Sequence, residues 1–202
     1  SLYDEAAEIN VTPDRSYCFS IRGVAREFAH ATGTGFKDPA AAVVVDPSTG
    51  PGYPVRLEDQ APIYGKPGCD RFVARTVRGV DPTRPTPTWM ASRLRLAGIR
   101  SISLVVDISN YVMLELGQPL HFYDLDRLQG DIVVRRANAG ETLRTLDGVD
   151  RTLAPDTLLI TDESGPIALA GVMGGEATEV TAGTTRMGVS LLEWRGGLAV
   201  GG

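Results

Sequence analysis

A chain of 202 residues with 43% hydrophobic side chains can bury a full core, as one large domain or two small intertwined ones. Its net charge of −5, from 20 basic and 25 acidic residues, argues against a protein that grips nucleic acid by its own cationic field, so any RNA it handles must be delivered partly by something else. Cys18 and Cys69 are too few for a disulfide framework or a cysteine-rich zinc site. No apolar run approaches the roughly 18 residues of a membrane span and no signal segment opens the chain, so a cytoplasmic protein with no membrane partner is expected.

Residues 2–11 read as an extended lead-in closed by Thr12-Pro13-Asp14. Ile21, Val24, Ala25 and Phe28 recur at helical spacing, with Gly33 placed to end the helix. Residues 37–69 are rich in Pro, Gly and Asp, which predicts loops with short strands at 42–45 and around Val55. RFVARTVRGV, from Arg71, is strand-like, and Thr86-Pro87 predicts an N-cap followed by proline at the first position of a helix that runs to about Ala97 and stops at Gly98. In SLVVDISNYVMLELG, Leu104, Ile108, Tyr111, Val112 and Glu115 advance by three and four, a third helix that Gly117 ends.

Beyond residue 130 the pattern changes. DIVVRR, LLITD, PIALAGV and GVSLLEW are short strands between turn residues, and Asp147-Gly148 marks a hairpin in TLRTLDGVDRTL. Helices come mostly first and strands mostly last, which predicts α+β, with a helix-rich part over residues 1–130 and a β-rich part over 131–202 in one intertwined structural unit. The lack of an initiator Met and the glycine-rich WRGGLAVGG end suggest an excised fragment.

The candidate chemistry centres on GQPLHFYDLD (117–126) and IALAGVMGGE (167–176). His121 with Asp124 and Asp126 could ligate a divalent ion, but no second histidine or paired cysteine lies at ligand spacing, so no metal is expected and the aspartates are read as turn and capping residues. No Gly-x-Ser-x-Gly elbow points to a covalent mechanism. GVMGGE lacks the Gly-Lys-Ser/Thr ending of a phosphate loop, which disfavours ATP; its glycines permit either a tight turn between strands or close approach of a ligand to the backbone of Gly171, Gly174 and Gly175.

Ordered blocks over most of the chain resemble the editing module, the third and fourth domains, of bacterial phenylalanyl-tRNA synthetase beta subunits. They are TPDRSYCFSIRGVARE (12–27), CDRFVARTVRGV (69–80), TPTWMASRLRLAGIRSISLVVDISNYVMLELGQPLHFYDLD (86–126), IVVRRANAGETLRTLDG (132–148), IALAGVMGGEATEV (167–180) and LLEW (191–194). The resemblance implies a layered sheet-and-helix (β-β-α sandwich-like) first part interleaved with a β-rich second part, and hydrolysis of tyrosine wrongly esterified to phenylalanine tRNA. A second site of this kind is physically sensible. An apolar synthetic pocket rejects an added hydroxyl only about a hundredfold, whereas a site that hydrogen-bonds the hydroxyl can discriminate by roughly 10⁴ or more.

By the same resemblance, Glu193 matches the acceptor of the tyrosine hydroxyl, and Ala170, Gly171 and Gly174 match the pocket wall. His121, with Asn110 and Ser109, matches the residues around the ester and the terminal adenosine, and whether the imidazole orients water, holds ribose hydroxyls or acts as a base stays open. The implied partners are the acceptor end of phenylalanine tRNA, tyrosine and the catalytic alpha subunit. No cofactor is implied for this chain, ATP and Mg belonging only to the full synthetase. Arg93, Arg95, Arg135 and Arg136 are candidates to guide the single-stranded RNA end. A freestanding deacylase acting in trans and a degenerate, non-catalytic assembly module are the alternatives.

Overall fold

The structure, a computed structural model, describes residues 4–42, 52–59, 65 and 67–193, without the side chains of residues 42 and 191–193. The strand expected at 42–45 therefore lies outside the described residues beyond its first position. The chain forms two compact units, one of residues 1–50 and 83–119 and one of residues 51–82 and 120–202.

The first unit is helical. A 3-10 turn at Pro13–Phe19 leads into α1 (Ile21–Thr32), whose N-cap Ser20 accepts from Gly23 N through its hydroxyl and whose end is set by Gly33 at φ 70°. Gly23 admits no side chain, because a methyl there would lie 1.9 Å from the carbonyl oxygen of Tyr17. The apolar stripe of α1 forms at the expected spacing, yet Ile21 and Phe28 remain 54% and 62% exposed. With Phe19, Ile9 and Leu114 they line a groove of about 720 Å³.

Helices α2 (Thr88–Leu96) and α3 (Leu104–Leu116) pack through Met90, Leu94 and Tyr111, with Ile99, Ile108 and Leu114 at the margin. Trp89 meets Tyr111 edge to face at 5.2 Å between centroids, while Arg93 donates to the Tyr111 hydroxyl and lies over the indole. Gly117 ends α3 at φ 75°, as its position after the apolar pattern predicts. The start of α2 differs from expectation. Pro87 takes the N-cap position, and the hydroxyl of Thr86 turns instead to Asp107 at 2.5 Å.

That aspartate, fully buried in the first turn of α3, also accepts from Ser101 Oγ at 2.5 Å and from Ile102 N at 3.0 Å. One carboxylate thereby ties both the approach to α2 and the approach to α3 to the helix N-terminus, where a negative charge is favoured.

The second unit is a stack of β layers. Its five-stranded sheet has the order β1 (Val55–Glu58), β4 (Ile132–Arg136), β7 (Leu158–Asp162), β8 (Gly165–Leu169) and β9 (Met173–Gly174), and only β1 and β4 run parallel. The three-stranded sheet places β10 (Arg186–Glu193) between β2 (Arg71–Arg78) and β3 (Leu120–Asp124). Facing side chains of the two sheets, among them Ala74 and Tyr123 from one and Ile132, Val134, Ile160, Ile167 and Ala168 from the other, form the main core. On the far side of the larger sheet the hairpin β5 (Thr142–Arg144) and β6 (Asp150–Thr152) covers Leu159 and Leu169 with Leu143 and Leu153. Covered on both faces, β7 is buried at every position, and its run LLITD accordingly shows no polar alternation.

The expected mixed α+β class is what forms, and within it Asp107 gives a test. Asp107→Asn is expected to destabilise the protein by about 3 kcal/mol, because one face of a buried acceptor that serves three donors becomes an amide donor. Burial pushes the Asp107 carboxyl up, but the donors from Ser101, Thr86 and Ile102 outweigh burial and hold it below its ordinary value. A depressed folded pKa adds stability above the unfolded value near pH 4, and that stability is lost as pH falls through the lower folded value. Thermal unfolding of wild type and Asp107→Asn should therefore converge toward the acid end of a pH series.

Candidate functional site

His121 occupies β3, directly opposite Ser190 of β10 in the register of the three-stranded sheet. Residues two apart on a strand share a face, so His121 and Tyr123 point together into the space between the two sheets, their rings edge to face at 4.6 Å. Across that space lies Gly174 of β9. A methyl added there would stand 2.4 Å from His121 Cε1 and 2.7 Å from Nε2, so the imidazole occupies the volume that any other residue would fill. Leu146 Cδ1 reaches the same point at 3.1 Å. His121, Gly174 and the tip of the β5–β6 hairpin thus converge, with the hairpin fastened by Leu146 N donating to Gly174 O at 3.0 Å.

The surroundings set the chemistry of the imidazole. Burial lowers the His121 pKa from 6.5 to about 4, and among the described residues no group hydrogen-bonds its ring nitrogens. At neutral pH the ring is uncharged, with one nitrogen to donate and one to accept. Such a ring can orient an ester or a water. Tyr123 is wholly buried, its hydroxyl has no partner of acceptable geometry among the described residues, and burial raises its pKa, with Ser190 close enough to pull it slightly back.

The remaining expected site residues fall in several settings. Ala170 is buried in the main core beside Ala168, with its N–H given to Leu158 O at 3.0 Å. Gly171, at φ 70°, is the exposed third residue of the turn closed by Val172 N and Leu169 O, a conformation that favours glycine. The neighbouring Gly175 spends its N–H on Ile167 O at 2.7 Å, so it is not an open donor for a ligand. Glu193 ends β10 opposite Arg71 in the register, and its side chain lies outside the described atoms. Ser109 and Asn110 belong to α3 in the first unit, where the Ser109 hydroxyl donates to Val106 O at 2.8 Å.

Asp124 caps the 3-10 turn Leu125–Arg127, within which Asp126 lies. Asp124 accepts from Asp126 N at 3.0 Å and from Thr184 Oγ1 at 2.8 Å, and Asp126 pairs with Arg186. Of the arginines considered as RNA guides, Arg93, Arg135 and Arg136 have internal partners, Arg93 in the Tyr111 hydroxyl. Arg135 makes a two-pronged pair with Glu141, whose carboxyl it pulls down to about 2, and Arg136 grips the nearly inaccessible Asp59 the same way. The approach of Leu146 to Gly174 was not legible in the sequence, since a leucine beside an Asp-Gly turn carries no signal of a distant contact.

Two β layers with a neutral imidazole held in the seam between them, against the backbone of a glycine, define a mixed α+β module with a sheltered polar site. Residues 68–193 match the family model of the B3/4 domain, and the chain belongs to that family. It is 67% identical over 183 residues to the phenylalanine–tRNA ligase beta subunit of Leifsonia xyli subsp. xyli, which takes in 91% of this chain and 22% of that relative. The corresponding subunit of Streptomyces avermitilis is 58% identical over 186 residues, with the same two shares. The chain thus spans about a fifth of the length of the curated relatives it matches. An N-terminal fragment of the phenylalanyl-tRNA synthetase beta subunit from Pyrococcus horikoshii has a similar fold, with a TM-score of 0.52 over 91% of this chain and 54% of that one at 16% identity.

Titration of the His121 ring protons by NMR is expected to give a midpoint about 4. The unfolded chain binds this proton near pH 6.5 and the folded chain near 4, so stability should fall by up to about 3 kcal/mol as pH drops across that window. Gly174→Ala should displace the ring and shift this midpoint.

Proposed function

We propose that this chain is the editing module of a phenylalanyl-tRNA synthetase beta subunit and hydrolyses the ester of tyrosine mischarged onto phenylalanine tRNA. The observation that carries this reading is 67% identity over nine-tenths of the chain to a phenylalanine–tRNA ligase beta subunit, together with the B3/4 match that encloses His121, Gly174 and Glu193. In this reading water attacks the aminoacyl ester. His121 orients ester and water as a neutral imidazole, because a group that protonates near pH 4 offers little basicity at pH 7. Ser109 and Asn110 are assigned to the ester by the family resemblance alone. Gly174 lets the imidazole seat against the strand backbone, the turn at Gly171 and the buried Ala170 form the wall nearby, and Glu193 accepts the tyrosine hydroxyl. A carboxylate suits that task, since its bond to a phenol is charge-assisted and its desolvation goes uncompensated with phenylalanine.

The partners in this reading are the acceptor end of the tRNA and the catalytic alpha subunit of a cytoplasmic synthetase, which uses ATP and Mg in its own active site. Among the described residues no helix is long and apolar enough to cross a membrane. With Arg135 and Arg136 in internal pairs and a net charge of −5, the tRNA body is held by the rest of the synthetase, which concentrates the terminal adenosine at the pocket.

The test is deacylation of tyrosyl-tRNA by the assembled synthetase. Glu193→Ala should lose hydrolysis of the tyrosyl ester while charging with phenylalanine is unchanged, since the contact is made only to the misfit substrate. His121→Ala should slow deacylation by roughly 10², the scale of a lost positioning contact, without loosening the preference for tyrosine over phenylalanine. Undiminished deacylation in both variants would refute the assignment.

A further inference from the structure

We propose that Trp89, in the first turn of α2, is a stacking platform for one unpaired base of RNA, and that the arginines around it face the adjoining phosphates. The proposal rests on the RNA partner of the reading above and not on its ester chemistry. Trp89 is 52% exposed, and its indole N–H makes no hydrogen bond among the described residues. The ring thus keeps an open surface and a free donor.

A single exposed aromatic residue is unremarkable when its side chain is free to turn. This one is held. The indole meets Tyr111 edge to face, with 5.2 Å between centroids and 89° between planes, and the Arg93 guanidinium lies 5.5 Å from the indole centroid. Arg93 Nη1 also donates to the Tyr111 hydroxyl at 2.6 Å, and Tyr111 is buried against Met90 and Leu94 between α2 and α3. Three side chains fix one another on a packed core, so a ligand covers the indole at little cost in ordering. A flat ring of fixed orientation suits an unpaired base, because every base has a π-face and in a duplex those faces are already covered.

The local charge points to the same ligand. Residues 83–103 contain Arg84, Arg93, Arg95 and Arg100 and no aspartate or glutamate, in a chain whose net charge is −5. All four arginines are exposed, and the side chains of Arg84, Arg95 and Arg100 have no partner among the described residues. Arg93 gives one N–H to Tyr111 and keeps others for an incoming oxygen. Charge of one sign beside a rigid aromatic ring matches a polyanion with unpaired bases. The strip suffices for a few nucleotides and not for a duplex body.

The experiment uses the synthetase that carries this chain and tRNA with iodinated cytidine at the unpaired positions of its acceptor end. Photolysis joins such a base to an aromatic ring stacked on it, and peptide mass spectrometry is expected to find the adduct on Trp89. In deacylation assays Trp89→Ala should raise KM for tyrosyl-tRNA roughly tenfold, the scale of one stacked base, with kcat within about twofold of wild type. Trp89→Phe, which keeps a ring, should hold KM within about threefold. Adducts on other residues only, with KM unchanged in Trp89→Ala, would overturn the platform. Absence of the Trp89 adduct together with weakened subunit association in Trp89→Ala, read by sedimentation, would overturn it as well, by showing that the indole serves a protein interface. A Trp89 adduct in wild-type enzyme that fails to hydrolyse the tyrosyl ester would support the platform while removing the hydrolysis reading. The adduct is read on wild-type protein, so it decides the matter even if Trp89→Ala fails to fold.

Discussion

Strand β10 hydrogen-bonds along both edges, to β2 on one side and β3 on the other, and most of the second unit depends on that double pairing. Three segments far apart in sequence become one sheet only when the last of them arrives. Because side chains alternate along a strand, the register that sets Ser190 against His121 also decides which face of β3 turns inward. A slip of one residue would send His121 and Tyr123 outward and present Phe122 to the core instead. The position of the imidazole is thus a consequence of backbone pairing over long loops, and the closure entropy of those loops is offset by the core that forms between the sheets.

The glycine opposite completes the arrangement by omission. Gly174 contributes a strand position without contributing volume, so two elements that are otherwise unconnected, β3 and the hairpin tip, share the space above it. The same device recurs at Gly23, where the carbonyl of Tyr17 fills the place of a side chain, and there it serves the entry of a helix rather than a site. Identical residue type and identical sterics support quite different roles, which is why the glycines of GVMGGE left a turn and a ligand pocket equally open when read alone. In the structure Gly171 is the turn, Gly175 is bonded to a neighbouring strand, and Gly174 faces the imidazole.

Elements whose signals are local were legible in the sequence. Helix α3 announced itself by apolar spacing and a terminal glycine, and the β5–β6 hairpin by Asp147-Gly148. Strand β3 was not legible, because it follows Pro119 directly and covers only five residues. The N-cap of α2 was misplaced since the choice between capping the helix and reaching Asp107 depends on a carboxylate 21 residues away. Arg136 read as available charge because its partner Asp59 is 77 residues distant. For the site, family resemblance pointed to His121 and Gly174, whose close approach the structure displays, but no periodicity or motif marks the leucine between them.

The division of the chain has a consequence for its history. Residues 51–82 leave the first unit and 83–119 return to it before 120–202 complete the second, so the polypeptide passes between units three times. No single cut in the backbone releases either unit whole, and no single breakpoint in a gene could graft one of them onto another protein. Recombination would have to carry both together or disrupt both. Their sequences are bound to a common inheritance, and a change that weakens one unit cannot be repaired by exchanging it.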